Sequence, residues 1–193
     1  MIVTSQQMQE KAIELFQEYG YENVSIQMIC DAFHVTRGSF YHYFKNKEDL
    51  LVKWMRNCTL DMEAKIELTD CKDAYEQIKA YLFHWAKVIE GIGPELLHYL
   101  IEALYRQIEP SEQQTMVSSF ALLNASNLSE LIEKAQEEGT ISKRQDAKQL
   151  ERIYSYSIAG LCIGWAISKE VIVFKEEVEM IFLNVFGDGH PQD

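Results

Sequence analysis

Polar and apolar residues recur with the period of an α-helix along almost the whole chain of 193 residues. In the first segment the apolar positions fall on one helical stripe that ends at Gly20, formed by Met8, Ala12, Leu15, Phe16 and Tyr19. The chain has three Pro and nine Gly, most of them at the edges of such segments, as is typical of a helical protein. The pattern predicts an all-α fold of about nine helices.

Three polar residues mark the starts of helices early in the chain. Ser25 and Thr36 stand where N-caps are expected, and they predict two short helices that end near residues 33 and 43. Asn46 is a third N-cap candidate. Glu48 and Asp49 follow it in the first turn, where the helix dipole favours acidic side chains. A long helix is therefore expected from about residue 47 to residue 68.

The remainder of the chain predicts longer amphipathic helices. They span about residues 73–90, 94–106, 109–138, 146–168 and 174–186, with "GIGP" separating the first two and Gly139 ending the third. The change from short to long helices predicts an N-terminal three-helix module at residues 1–46 and a C-terminal helical bundle at residues 47–187. Residues 188–193 are expected to form a flexible tail.

The charge of the chain is distributed unevenly. Its net charge of −12 argues against a polycation that coats nucleic acid or anionic lipid. The stretch from Ala32 to Lys47 nevertheless contains no carboxylate, and it carries Arg37, Lys45 and Lys47. The four cysteines are scattered, which favours reduced thiols in a cytoplasmic protein over a disulfide framework or a metal site. No signal peptide is expected, since "MIVTSQQMQEKAIELF" has no basic region and no unbroken apolar run. No membrane span is expected either, since the most apolar segment is only about fifteen residues long.

The carboxylate-free stretch lies where two short helices are joined by a tight turn, which is a helix-turn-helix pattern. Val35, Phe40 and Phe44 share one face and would anchor the second helix. The residues left on the outside are Thr36, Arg37, Gly38, Ser39, Tyr41 and His42. Arginine can bind a guanine edge, glycine permits close approach, and Tyr, His and Lys donate to phosphate oxygens. The alternative is a solvated helical turn, because spacing alone identifies this motif weakly.

The segment "GYENVSIQMICDAFHVTRGSFYHYFKNKEDLL" closely resembles the DNA-binding module of the tetracycline-repressor (TetR) family of transcription regulators, and the resemblance covers roughly the first fifty-five residues. It implies a homodimer, a variable ligand-binding domain and repression relieved by a small molecule. By position it implies phosphate contacts by Tyr41 and Lys47, a helix cap at Ser25, and a base or phosphate contact by Gln27. The variable readout positions are Arg37, Gly38, Ser39 and Tyr43.

Two positions depart from the pattern of that family. His34 stands where the family usually has Gly in the turn, and Cys30 stands where a small Ala is usual. Histidine tolerates a left-handed backbone better than most residues, so the turn is expected to form with some strain. The thiol of Cys30 is expected to fit as a small apolar group.

The segment "YSYSIAGLCIGWAIS" has two apolar faces. One row contains Ser157, Gly160, Gly164 and Ile167, and the other contains Tyr154, Ile158, Leu161 and Trp165. A helix with two apolar faces needs two partners, and the glycine row would let a second subunit approach closely. The last helix would complete a four-helix dimer interface through Phe174, Val178, Ile181, Phe182 and Val185. The alternative is that both faces are buried within one chain.

A ligand pocket is expected between the helices of the larger domain, apolar with a few polar groups. The candidate lining residues are Met62, Ile66, Trp85, His98, Tyr99, Phe120, Asn124 and Tyr154. For each of them a place in the core is the more frequent role, since aromatic stripes at helical spacing are usually core. His98 and Glu102 lie one turn apart, but such a pair is far more often an ordinary polar contact than a metal site. No metal or cofactor is therefore predicted.

The motifs of common enzyme classes do not occur in the sequence, so an enzyme is not expected. The predicted function is a dimeric DNA-binding transcriptional regulator, a repressor released from operator DNA by a small apolar ligand that shifts the fourth helix. The expected partners are double-stranded operator DNA, a second copy of the chain and that ligand, but no membrane. The alternative is a protein-interaction adaptor that uses the helix-turn-helix as a scaffold. Steep salt dependence of DNA binding would distinguish the two.

Overall fold

The computed structural model describes residues 3–67, 71–106, 128–168 and 172–190, without the side chains of residues 59 and 62–67. Within these ranges the chain forms eight helices and no strand. They are α1 (Ser5–Tyr19), α2 (Ile26–Asp31), α3 (Arg37–Tyr43), α4 (Lys47–Glu67), α5 (Ala74–Arg106), α6 (Leu128–Glu137), α7 (Ala147–Ile167) and α8 (Phe174–Phe186). The predicted all-α fold is confirmed, and the number of helices is close to the number expected.

Side-chain caps begin several of these helices, as the sequence predicts. Ser25 Oγ accepts from the backbone N–H of Met28 at 3.2 Å, and Asn46 Oδ1 accepts from that of Asp49 at 2.8 Å. Thr36 occupies the N-cap position of α3 with an extended backbone, but its side chain makes no capping hydrogen bond. The Thr36 hydroxyl instead lies 3.4 Å from the hydroxyl of Ser39 in the first turn of α3.

The turn between α2 and α3 runs through a left-handed residue. His34 has a φ of 54°, and no other described non-glycine residue has a positive φ. Left-handed backbone places Cβ close to the following carbonyl oxygen and costs about 1–2 kcal/mol for an L-residue. The expectation that His34 accepts this conformation is confirmed, and the turn keeps its geometry without glycine.

Helix α5 is kinked within the sequence "GIGP". Gly93 has φ 80° and ψ 165°, a conformation outside the helical region, and Pro94 follows it. The helices predicted on either side of this sequence are therefore present as two helical segments of α5, joined at the kink. The second half, Pro94–Arg106, runs alongside the N-terminal module.

One continuous apolar core joins the N-terminal module to the bundle. Helix α4 begins at Lys47, and it packs against both α1 and α5. The division into domains near residue 46 stays a prediction, as does the flexible tail. The hydroxyl of Tyr75 donates to the carbonyl of Gly187 at 2.9 Å, so the chain just before the tail is attached to α5.

The orientation of α8 corrects part of the predicted dimer interface. Phe174, Val178 and Phe182 are buried within the chain. The ring of Phe182 lies 5.4 Å from that of Tyr75, and the ring of Phe174 lies 4.7 Å from that of Trp165. These three residues therefore belong to the core of the protomer and are not available to a second subunit.

Among the described residues, no helix combines the length and the apolar character that crossing a bilayer requires.

Candidate nucleic-acid interface

Helix α3 has one buried face and one exposed face. Phe40 is fully buried, and Phe44 just after the helix is 1% exposed. Their rings lie 5.4 Å apart and hold α3 against the rest of the module. The residues at the surface are Thr36, Arg37, Gly38, Tyr41 and His42, and Ser39 is half-buried beside them. The structure thus brings the predicted outward-facing set together on one surface.

Arg37 and Tyr41 form a pair on this exposed face. Arg37 Nη2 donates to the Tyr41 hydroxyl at 3.4 Å, and the guanidinium carbon lies 6.0 Å from the centre of the Tyr41 ring. Both side chains are solvent-exposed. The contact is long, so it orients the guanidinium while leaving its other donors free to bind an acceptor.

A groove of about 420 Å³ runs along one side of α3. It is lined by Val3, Val35, Thr36, Gly38, Ser39, His42 and Tyr43. At Gly38 an added Cβ would meet only the Thr36 hydroxyl, at 3.5 Å. Gly38 therefore keeps the surface of the helix flat where another molecule can approach it.

Ser25 and Gln27 lie at the start of α2 with local partners. The Ser25 hydroxyl caps the helix, as described above, and Gln27 Nε2 donates to Asp31 Oδ1 at 2.7 Å. Both residues are exposed. The contact with Asp31 occupies one donor of the Gln27 amide. Gln27 and Asp31 are four residues apart on a helix, and this spacing is the feature of the sequence that indicates their contact.

Tyr43 and Lys47 differ from the other predicted contacts, because their polar ends have partners inside the protein. The Tyr43 hydroxyl donates to the carbonyl of Val3 at 3.1 Å. Lys47 Nζ donates to the carbonyls of Tyr21 and Val24 at 2.7 and 2.9 Å. Sequence reasoning missed both roles. Neither pairing has a signal in the sequence, since the partners are backbone groups more than twenty residues away.

The residues on and directly after α3 include two basic side chains and no carboxylate. Lys45 is exposed directly after α3, and Ala32–Lys47 contains no acidic residue. Asp49, two residues beyond this stretch, has partners of its own. It accepts from the backbone N–H of Lys45 at 2.9 Å and from Lys53 Nζ at 3.0 Å. The exposed face of α3 therefore carries Arg37 and no carboxylate of its own, on a chain whose net charge is −12.

The predicted pocket residues do not lie together. Trp85 and Tyr154 are fully buried in the bundle, whereas His98 is exposed and Tyr99 is half-buried against the N-terminal module. His98 and Tyr99 thus face away from the bundle interior, which corrects the prediction that they line its pocket. The side chains of Met62 and Ile66, and residues Phe120 and Asn124, lie outside the described residues.

The predicted glycine row of α7 lies at the surface of the protomer. A Cβ added to Gly160 or Gly164 would meet no atom within 4 Å, Ser157 is half-buried, and Ile167 is 68% exposed. On α8, Ile181 and Val185 are half-buried. Sequence reasoning missed two apolar residues on the outer side of α8, Met180 and Leu183, which are 51% and 45% exposed. The apolar stripe that the sequence predicts for α8 is therefore shifted by about one position from the apolar residues that the structure exposes.

Comparisons with known proteins agree on the identity of the N-terminal module. Residues 10–53 match the family model described as bacterial regulatory proteins, tetR family. The probable acrEF/envCD operon repressor of Escherichia coli (strain K12) is 24% identical over 171 residues, which cover 86% of this chain and 77% of that protein. The TetC protein of transposon Tn10 from Escherichia coli is 28% identical over 162 residues, which cover 84% and 76%.

Solved structures show that the likeness of fold extends over the whole chain. Thermus thermophilus FadR, a TetR family transcriptional repressor in complex with lauroyl-CoA, has a TM-score of 0.67 at 18% identity, covering 98% of this chain and 97% of that one. SmeT, the repressor of the Stenotrophomonas maltophilia multidrug efflux pump SmeDEF, has a TM-score of 0.64 at 21% identity, covering 95% and 90%. The residues that match the tetR family model include the helix-turn-helix in α2 and α3, so the N-terminal module is a DNA-binding module of that family, on a chain whose whole fold resembles that of TetR family regulators.

Proposed function

We propose that the chain is a homodimeric repressor that leaves its operator when a small, largely apolar ligand binds within the helical bundle. The observation that carries the proposal is the exposed face of α3, where Arg37, Tyr41 and His42 lie together without a carboxylate. Phosphates would be repelled by acidic residues at these positions, so the absence of such residues suits a surface that contacts DNA. Repression agrees with the names of the acrEF/envCD and SmeDEF repressors.

Within the proposed interface the side chains have different roles. Arg37 has free donors at the surface and would bind a base edge, while Lys45, Tyr41 and His42 would bind phosphates. Thr36 and Ser39, whose hydroxyls lie 3.4 Å apart beside Gly38, would approach the DNA closely. Lys47 has two of its donors in use, so we assign it to holding the module rather than to the main phosphate contact.

The bundle offers two buried hydrogen-bond donors for a ligand. Trp85 Nε1 and the Tyr154 hydroxyl are buried and have no partner among the described residues. Leaving such a group unpaired costs about 1–3 kcal/mol, so an acceptor atom on a ligand would stabilise the bundle. FadR in complex with lauroyl-CoA, a molecule with an apolar chain and acceptor oxygens, agrees with a ligand of this kind.

A second copy of the chain is proposed to cover the outer faces of α7 and α8. On α7 these contain Tyr156, Gly160 and Ile167, and on α8 they contain Met180 and Leu183. Four of these are large apolar residues that are at least 45% exposed on adjacent helices, an arrangement typical of a surface that another molecule covers. A dimer would present two copies of α3 to successive turns of the major groove.

The test is a titration of the purified protein against a random-sequence DNA pool, followed by affinities for the selected operator at two salt concentrations. Lys45→Ala should weaken binding to all sequences and reduce the salt slope by about 1. Arg37→Ala should relax the preference at one base pair, where about 1–3 kcal/mol of discrimination is lost. Lys175→Ala, which changes an exposed lysine on α8, is the matched control and should leave both properties unchanged.

The alternative adaptor function makes the opposite prediction in the same experiment. If the pool yields no selective sequence, or if affinity does not fall with salt, the exposed face of α3 does not bind DNA. If Lys45→Ala and Arg37→Ala reduce affinity equally for every sequence, the separate roles given to the two residues are wrong.

A further inference from the structure

Two tyrosines stack where the N-terminal module meets the bundle. Tyr21 lies in the turn after α1, and Tyr99 lies on the second half of α5. Their ring centres are 4.3 Å apart at an angle of 25°, and Tyr21 is 5% exposed. The Tyr21 ring also lies 4.8 Å from that of Phe16, so it is held on the module side by α1. Tyr99 is the aromatic residue through which α5 contacts this turn.

Lys47 fixes the same turn from the other side. Its Nζ lies 4.3 Å from the centre of the Tyr21 ring and donates to the carbonyls of Tyr21 and Val24. Burial lowers the pKa of Lys47, although the carboxylates of Glu22 and Glu48 act in the opposite direction. The ammonium, the ring and the two carbonyls form one unit at the end of the turn.

This turn leads directly into the helix-turn-helix. Ser25 follows Val24 and caps α2 through the N–H of Met28. Helix α2 continues into the His34 turn and α3, and the N–H of Val35 donates to the carbonyl of Cys30 at 3.1 Å. A displacement of Tyr21 relative to α5 would therefore be transmitted to the position of α3.

Two polar contacts flank the stacked rings along α5. Gln17 Nε2 donates to the carbonyl of Gly91 at 2.7 Å, next to the kink. At the other end, Arg106 Nη1 lies 3.7 Å from Glu48 Oε1 in the first turn of α4. Gly91 and Arg106 are fifteen residues apart, about 22 Å along a helix. Helix α5 is thus attached to α1 next to its kink and to the start of α4 near its C-terminal end, and the stacked rings lie between these two contacts.

The rings at the centre of this contact stay neutral. Burial, with Glu48 and Glu22 nearby, raises the pKa of Tyr21 well above its ordinary value. Burial and the carboxylate of Glu22 raise the pKa of Tyr99. A cavity of about 150 Å³ beside the rings is lined by Glu22, Glu48, Glu102 and Arg106, so polar groups surround the stack. The stack is the apolar part of an otherwise charged contact.

We propose that Tyr99 is a positioning residue for DNA binding: by stacking on Tyr21 it sets the orientation of the helix-turn-helix relative to the bundle, and the second half of α5 thereby transmits the state of the bundle to α3. This proposal rests on the proposed function for its effect on operator binding. The sequence predicts that the ligand acts on the helix-turn-helix through α4, and the proposal adds the second half of α5 to that route. It also gives Tyr99, which the sequence predicts as a pocket residue, a role in the contact with Tyr21.

The variants are Tyr99→Leu, which removes the ring, and Tyr99→Phe, which keeps the ring and removes the hydroxyl. Tyr105→Leu is the matched control, since Tyr105 lies on the same half of α5 and is 66% exposed. Affinity is measured for the full operator, for an operator with one half-site scrambled, and for operators with altered spacing between half-sites. Thermal unfolding of each variant shows whether it is folded.

Tyr99→Leu should lower affinity for the full operator by up to about tenfold, which is the change in an equilibrium constant that the loss of one aromatic pair can cause. The loss arises because the two α3 helices of the dimer are no longer held at a fixed separation. Affinity for the single half-site should stay unchanged, and the preference for one spacing should weaken. Tyr99→Phe and Tyr105→Leu should behave like the unmodified chain. Equal losses at the full operator and the half-site would show a merely structural role and overturn the proposal.

A measurement without DNA separates this proposal from the proposed function. Tyr99→Leu should raise amide hydrogen exchange at residues 20–24 by up to about tenfold, while exchange in α7 stays constant. Asn23, whose N–H donates to the carbonyl of Gly20 at 3.2 Å, is the most direct reporter. Unchanged exchange at these residues would overturn the proposal even if the protein binds its operator. Increased exchange in a protein that binds no DNA would support the contact and reject the proposed function.

Discussion

His34 shows how one residue can satisfy a backbone position that favours glycine. It is exposed and has a φ of 54°, so replacement by Gly removes strain without removing a buried contact. We expect His34→Gly to raise the free energy of unfolding by about 0.5–1 kcal/mol, the steric gain being partly offset by greater freedom of the unfolded chain. Urea denaturation followed by circular dichroism measures this change.

Ala32 provides a control two residues earlier in the same turn. It is also exposed, but its φ of −59° and ψ of −21° are ordinary right-handed values. Ala32→Gly should therefore lower the free energy of unfolding by about 0.5–1 kcal/mol. If both glycine variants changed stability in the same direction, strain at His34 would not be the cause.

Because the thiol of Cys162 is buried, we expect the free energy of unfolding to fall at alkaline pH. Cys162 is fully buried on α7, and burial raises the pKa of its thiol from 9.0 to about 12. Below pH 9 both the folded and the unfolded chain keep the proton. Above pH 9 the unfolded chain releases it while the folded chain retains it, so stability falls as the pH rises towards 12.

The size of this effect follows from the two pKa values. Between about pH 8 and about pH 10 the unmodified chain should lose about 1.4 kcal/mol more unfolding free energy than Cys162→Ala does. Cys71→Ala, at a half-exposed cysteine, is the control and should retain the full alkaline loss. Equal pH dependence in the unmodified chain and Cys162→Ala would contradict the burial of a neutral thiol.

At the scale of elements, the bend in α5 depends on one glycine. Gly93 has φ 80° and ψ 165°, a region that essentially only glycine adopts, although no atom lies within 4 Å of an added Cβ. Gly93→Ala should therefore lower the free energy of unfolding by about 1–3 kcal/mol through backbone strain alone. Chemical denaturation of the variant measures the loss.

Gly91 separates backbone strain from the loss of a glycine as such. It is exposed in the helical part of α5, and an added Cβ would also meet nothing within 4 Å. Gly91→Ala should raise stability by about 0.5–1 kcal/mol, since alanine favours helix and glycine does not. Opposite signs at two glycines two residues apart would identify the kink as the cause.

At the scale of the whole molecule, the sequence predicted those features that local chemistry determines. The caps at Ser25 and Asn46, the left-handed residue His34 and the break at "GIGP" each follow from properties of one or two residues. The exposed face of α3 also followed, because Phe40 and Phe44 are large apolar residues at helical spacing.

Features that depend on which side of a helix meets which neighbour could not be predicted in this way. Periodicity gives a stripe but not its partner, so Phe174 and Phe182 were placed in a dimer interface although they pack on the core. Tyr99 was placed in a pocket for the same reason, although it stacks on Tyr21. Only the kink and the packing of α5 together determine where that residue points.

The proposed dimer leads to a prediction in which stability and assembly change in opposite directions. Gly160 is exposed on α7, and a Cβ there meets nothing within 4 Å of the protomer. Gly160→Leu should therefore stabilise the helix of the isolated protomer by up to about 1 kcal/mol. In a dimer the same side chain would occupy the space that lets the two copies of α7 approach, so it should weaken association.

Sedimentation equilibrium measures the association of the 22.4 kDa chain directly. The unmodified chain should sediment as a dimer, whereas Gly160→Leu should shift towards monomer and bind the full operator no more tightly than a single half-site. Gly91→Leu introduces the same side chain at an exposed glycine of α5 and should remain dimeric. A Gly160→Leu variant that stays dimeric would place the interface elsewhere. In that case a surface other than the glycine row of α7 would fix the distance between the two copies of α3.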